Sequence, residues 1–124
     1  MRLYHFTAAH LLPAVRKEGL TLGSIPVFKD ERPVNLIPGF QWLTTNPSFE
    51  QEWQSGGRLP YRRNAYRITV KIPRAHDGSL VPWLAMCPHI PGGDILNALG
   101  DPENWMIFGG RIPPGWFREI VGRS

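Results

Sequence analysis

Cysteine is nearly absent. Cys87 stands alone, so no internal disulfide can form, and the chain is expected in a reducing, cytoplasmic compartment. Charge is sparse too, at 19% of residues, and no apolar run is long enough to span a bilayer. A long stretch without Asp, Glu, Lys or Arg, from Gly78 to Gly93, is broken by Pro82, Pro88 and Pro91. Met1 to Phe6 leads to Thr7 without an apolar run of signal-peptide length, and no membrane partner is expected. His5, His10, His76 and His89 show no zinc-motif spacing, with or without Cys87, so no metal is expected either. The sequence also lacks a Walker-type phosphate loop, a G-x-S-x-G elbow, an H-E-x-x-H pair and a dinucleotide fingerprint.

What remains is a chain of 124 residues, enough for one domain with one modest core. Hydrophobic residues make up 42%, which excludes a disordered tail. Thirteen Gly and thirteen Pro, without period, imply a turn-rich α+β domain with short elements. Fourteen Lys and Arg against ten Asp and Glu give a formal charge of +4, a mild bias toward anionic partners. Arg58, Arg62, Arg63 and Arg67 gather around a loop-to-strand junction. They read either as solvated surface or as a contact for phosphate or nucleic acid.

Alternation predicts a first strand over Arg2–Phe6, with Leu3, His5 and Thr7 on one face and Tyr4 and Phe6 on the other. A short helix from about Leu11 to Glu18 follows, with Pro13 in its first turn and Gly19 as its stop. Gly23–Gly39, with Pro26, Pro33, Pro38 and the charged run Lys29–Arg32, reads as an exposed excursion rather than an element. Phe40–Thr44 is a second strand, and Ser48 is placed to cap a helical turn over Phe49–Trp53. Ser55–Pro60 reads as a loop. Ala65–Ile72 is the clearest strand, with Tyr66, Ile68, Val70 and Ile72 facing inward. Helical turns are expected at Val81–Met86 and Ile95–Leu99, a buried strand at Trp105–Phe108, and a last strand at about Trp116–Val121.

Taken in order, Tyr4-His5-Phe6-Thr7, the helix ending Glu18-Gly19-Leu20, Gln41-Trp42-Leu43-Thr44-Thr45, Glu103-Asn104-Trp105-Met106-Ile107-Phe108 and Ile112-Pro113-Pro114 form an arrangement. It resembles the ADP-ribosyltransferase superfamily, in the branch with a His, an aromatic and a Glu at its signature positions. Poly-ADP-ribose polymerases, DarT-type toxins and RNA 2′-phosphotransferases belong to that branch. The resemblance implies one domain over residues 1–124 with a split antiparallel β-sandwich and short helices. It implies NAD as co-substrate, bound between two short antiparallel sheets, and a protein or nucleic-acid acceptor for ADP-ribose.

By the same resemblance His5 would hold the adenosine ribose, with Phe6 and Thr7 beside it; imidazole both donates and accepts hydrogen bonds, as a diol requires. Trp42 would stack on nicotinamide, whose cationic ring gains about 0.5–2 kcal/mol over an indole face. Thr44, Thr45 and Ser48 match the small polar positions that follow it. Each of these residues has a plain alternative, since His5 and Trp42 also suit a strand core and Thr7 suits a helix cap. At the third position the sequence departs: Asn104 occupies the Glu slot and Glu103 sits one residue off, on the other face of a strand. Glu119, Glu50 and Glu52 are the other carboxylates considered. Losing the carboxylate forfeits charge opposite an oxocarbenium-like transition state. Two further readings therefore stay open: a catalytically inactive NAD- or ADP-ribose-binding or protein-interaction module of the same fold, and a basic nucleic-acid-binding domain.

Overall fold

A computed structural model describes residues 2–51 and 63–123. Its centre is a six-stranded antiparallel sheet, built from β1 (Leu3–Thr7), β4 (Phe40–Thr44), β5 (Tyr66–Val70), β6 (Leu80–Pro82), β7 (Trp105–Gly109) and β8 (Phe117–Gly122). The strands lie in the order β6-β7-β4-β1-β5-β8. Among the described residues three short α-helices accompany it: α1 (Leu12–Glu18), α2 (Trp83–Met86) and α3 (Asp94–Asn97). The fold is thus mixed α+β in one small domain, mostly antiparallel sheet. No described helix is long and apolar enough to cross a membrane.

Alternating side chains divide the interior into two cores. Leu3, Leu43, Ile68, Val70 and Phe108 pack with Leu12, Leu20 and Ile112, while Ile107 and Trp105 pack with Ile25, Trp83 and Cys87. Successive residues of β7, Ile107 and Phe108, feed different cores, so this strand is buried on both faces. Gly19 ends α1 as expected, at φ 85°, and a Cβ there would lie 2.1 Å from the Ile112 carbonyl oxygen. That contact is what lets Leu20 bridge to Ile112 and close the first core.

The segment expected to be an irregular excursion is instead a hairpin, β2 (Ser24–Lys29) paired with β3 (Arg32–Pro38). Its prolines are compatible with strands because they fall on a two-stranded ribbon, where an N–H can be dispensed with. β3 is its free edge and is exposed almost throughout, as the composition implied. Pro33 and Pro38 have no N–H to offer there, and the Leu36 N–H is taken by its neighbour Asn35 Oδ1 at 2.9 Å. An edge so blanked resists pairing with another chain, despite exposed Val34 and Leu36.

The charged run makes the turn, with Asp30 at φ 53° and Glu31 at φ 62°. Both residues pay for left-handed backbone that glycine adopts freely. Glu31→Gly is expected to stabilise the fold by about 1 kcal/mol, read as a higher denaturation midpoint; an unchanged or lower midpoint contradicts it.

Other boundaries shift modestly. The region expected as one helical turn at Val81–Met86 divides into β6 and α2 at Pro82. Thr7 does not cap a helix: the 3-10 turn Ala9–Leu11 starts from Ala8, and neither it nor α1 has a side-chain cap. Ser48 Oγ accepts the Glu50 N–H at 2.9 Å, closing a local turn. The helical turn expected over Phe49–Trp53 does not form at Phe49, Glu50 or Gln51, which run as irregular chain; its last two residues, like the expected Ser55–Pro60 loop, lie outside the described residues.

Candidate functional site

β1 is joined to β5 by five registered pairs, and β4 to β7 by five, but β1 meets β4 at one pair only, Tyr4 with Thr44. Continued by antiparallel register, Phe6 would face Trp42; instead the strands part, and the Trp42 carbonyl takes its hydrogen bond from the His5 ring, Nδ1 at 2.9 Å. One sheet therefore carries a seam between the halves β6-β7-β4 and β1-β5-β8. At the seam lies a cavity of about 320 Å³. His5, Phe6, Trp42 and Thr44 line it, together with Tyr4 and Trp105; Pro26 of the hairpin, Leu96 and Leu99 add apolar wall, and Arg63 is its one described cation.

His5 has a defined protonation pattern. A carbonyl only accepts, so Nδ1 carries the proton, and in the neutral ring Nε2 is left as an acceptor. Desolvation by burial lowers its pKa below 6.5, partly offset by the bond to the Trp42 carbonyl. Nε2 has no hydrogen-bond partner among the described residues. The cavity thus holds one fixed, uncharged acceptor, suited to a ligand hydroxyl.

Trp42 is both core and cavity wall. Its Nε1–H donates to the Ser24 carbonyl at 2.8 Å, tying the hairpin to the sheet. Its ring lies 4.9 Å from that of Trp83 and 5.8 Å, edge to face, from that of Trp105. Trp83 is itself fixed by Nε1–H to Asn97 Oδ1 at 2.7 Å, and Asn97 Nδ2 reaches the buried Cys87 sulfur.

The third position is differently employed. Asn104 precedes β7 in the turn Pro102–Asn104; its Oδ1 accepts from Thr45 Oγ1 at 2.9 Å and its Nδ2 donates to Asp101 Oδ2 at 2.9 Å. Asn46 Nδ2 donates to the same Asp101 oxygen at 2.9 Å. Both ends of the Asn104 amide are engaged, and neither Asn104 nor exposed Glu103 lines the cavity. Thr7, Thr45 and Ser48 also stand outside its lining. Thr44 is buried on it, with Oγ1 accepting the Asn46 N–H at 3.0 Å.

Of the alternative carboxylates, Glu50 pairs with Arg123 and Glu119 lies 3.8 Å from Arg67, both away from the lining; Glu52 is outside the described residues. Asn104→Asp is expected to destabilise the fold by about 1–3 kcal/mol at neutral pH, because it faces a second carboxylate where an N–H stood. Acid pH, by protonating one of the pair, should shrink the loss, and Asp101→Asn in the same chain should largely restore stability. Equal loss at both pH values would contradict this.

The arginine cluster divides. Arg58 and Arg62 are outside the described residues, and Arg63 reaches the cavity. Arg67 works within the fold: its guanidinium lies 5.4 Å from the ring centres of both Tyr4 and Phe49 and donates to the Pro47 carbonyl at 2.9 Å. Among the described residues no group of three His, Cys, Asp or Glu side chains is placed to hold a metal. Sequence reasoning missed Pro26, Leu96, Leu99 and Trp105 as cavity walls and Asp101 as the hub of the polar network.

The chain matches no family model, no curated protein and no solved structure.

Proposed function

We propose that this chain is an ADP-ribosyltransferase-like protein that holds NAD, or its ADP-ribose portion, in the seam cavity. The observation that carries the reading is the neutral His5 acceptor, fixed by the Trp42 carbonyl where the strands part and set among aromatic side chains. A ribose hydroxyl donating to Nε2 would satisfy the free nitrogen, and the rings supply a flat apolar surface for a base or for nicotinamide. A cavity of about 320 Å³ is at the small end for ligand sites, so it suits one nucleoside-sized half of a dinucleotide. The other half and the diphosphate would lie toward the mouth. The cavity opens at a seam within one six-stranded sheet, where the resemblance implies a cleft between two sheets.

In the transferase reading, an acceptor attacks the nicotinamide ribose, the bond to nicotinamide breaks, and ADP-ribose passes to a macromolecule. A binding module without turnover is the second reading, and it is favoured by the engaged Asn104 amide and by the absence of any carboxylate from the described lining. Without that charge, a developing cation loses several kcal/mol of stabilisation, on the order of 3.

Calorimetric titration with NAD and with ADP-ribose, followed by an assay of nicotinamide release on the same sample, separates the readings. Binding of both with no release is the expected result. Release upon NAD addition would establish the transferase or glycohydrolase reading, and failure of folded protein to bind either ligand would overturn both.

A further inference from the structure

A second concavity lies on the sheet, at the end of the half formed by β1, β5 and β8. Leu3 pairs with Val70 and both are in the core, whereas Tyr4 pairs with Thr69 on the opposite face. Extending that register by one step sets Arg2 opposite Lys71, on the same face as Tyr4 and Thr69. Between β5 and β8 the register slips: Thr69 faces Glu119 but Val70 faces Phe117, so Arg118 is the extra residue of a bulge. Bulges re-aim side chains, and here Arg118 joins the others. The resulting groove, about 590 Å³, is lined by Arg2, Lys71, Arg118, Thr69 and Glu119, with Val70 and Ile72 between them along the chain and their side chains turned to the core.

Its charges are not balanced internally. Arg2, Lys71 and Arg118 have no ion pair among the described residues, and Glu119 lies 3.8 Å from Arg67. Arg118 is held in place by its own Nη1 donating to the Gly115 carbonyl at 3.1 Å. Like charges facing each other on adjacent strands cost stability, so the fold gains nothing from this arrangement by itself. An anion would gain from it.

We propose that this groove binds the phosphate backbone of a single-stranded nucleic acid. Arg and Lys side chains together with a Thr hydroxyl are the usual donors to phosphate oxygens. The three cations come from adjacent strands, about 5 Å apart, and a nucleic acid carries a charge on every unit. The groove also adjoins the seam cavity, since Tyr4 lines one and its register partner Thr69 lines the other. The inference stands on the groove alone and does not require NAD in the cavity.

Fluorescence anisotropy with a labelled oligothymidine of about twenty nucleotides tests it. Contacts to three phosphates predict a slope of about −2 in log affinity against log salt, which is roughly 15–20-fold weaker binding at 200 mM than at 50 mM salt. Lys71→Ala should reduce the slope by about 0.7. The Arg2→Ala/Lys71→Ala/Arg118→Ala protein should lose most of the affinity at 50 mM, while Lys17→Ala, which removes an exposed cation on α1 outside the groove, binds as the parent does. No binding by the parent at 50 mM, or unchanged binding by the triple variant, overturns the proposal. So does equal displacement of the oligonucleotide by polyglutamate at matched charge, which would assign the groove to an acidic polypeptide. NAD affinity is measured separately, so failure of the cavity reading leaves this result unaffected.

Discussion

Trp42→Ala is expected to cost about 3–5 kcal/mol of stability, a large part of the 5–15 kcal/mol that holds a typical domain together. The loss has three sources. The aromatic contacts with Trp83 and Trp105 disappear, the void is too rigidly walled to collapse, and the Ser24 carbonyl loses the donor that ties the hairpin to the sheet. Trp42→Phe keeps a ring and loses the indole N–H, for about 1–2 kcal/mol. Denaturant titration distinguishes them: a large drop for Ala and a small one for Phe is expected, and equal small drops would mean that Trp42 is not the joint between hairpin and sheet. Ligand binding by Trp42→Ala is consequently a poor test of the cavity, whereas binding by Trp42→Phe is a fair one.

His5→Ala is expected to weaken NAD binding at least tenfold, about 1.4 kcal/mol, with the protein still folded. It should also cost about 1–3 kcal/mol of stability, because the Trp42 carbonyl is left without the donor that replaces a ladder bond at the seam. The pH dependence has a definite sign. Burial lowers the folded pKa of His5 below 6.5, so below pH 6.5 the unfolded chain takes up a proton that the folded protein resists. The stability from a neutral His5 is complete above pH 6.5 and is lost as pH falls toward the lowered folded value. Ligand binding follows the same direction, since protonation at Nε2 removes the acceptor; affinity should be flat above neutrality and fall only in the acid range. His5→Gln should flatten both profiles. Folded His5→Ala protein that binds NAD as tightly as the parent would remove His5 from the site.

Several of these features were legible in the sequence. Phe40–Thr44 was bounded correctly because its alternation of aromatic, aliphatic and Thr side chains stands between a Gly and a turn. Ala65–Ile72, expected from the same signal, contains the observed strand Tyr66–Val70. The hairpin was not, because Pro26, Pro33 and Pro38 read as breakers until the ribbon's free edge makes their missing N–H groups harmless. His5, Phe6, Trp42 and Thr44 do meet at one cavity, since two strands crossing at a single pair bring them together. Its remaining walls come from the hairpin, from β7 and from α3 and the residues just after it, and periodicity tells which residues are buried without telling which elements meet. Asp101 was invisible for a related reason: its link to Asn46 joins positions 55 residues apart, and only the fold brings them within a hydrogen bond.

The central claim is that the seam between β1 and β4 is a nucleotide site, and amide chemical-shift mapping during an NAD titration tests it most directly. Shifts concentrated at Tyr4, His5 and Phe6, at Trp42, Leu43 and Thr44, and at Leu96 and Leu99 are the expected result. Shifts confined to Arg2, Lys71 and Arg118, or none at saturating NAD, would contradict it.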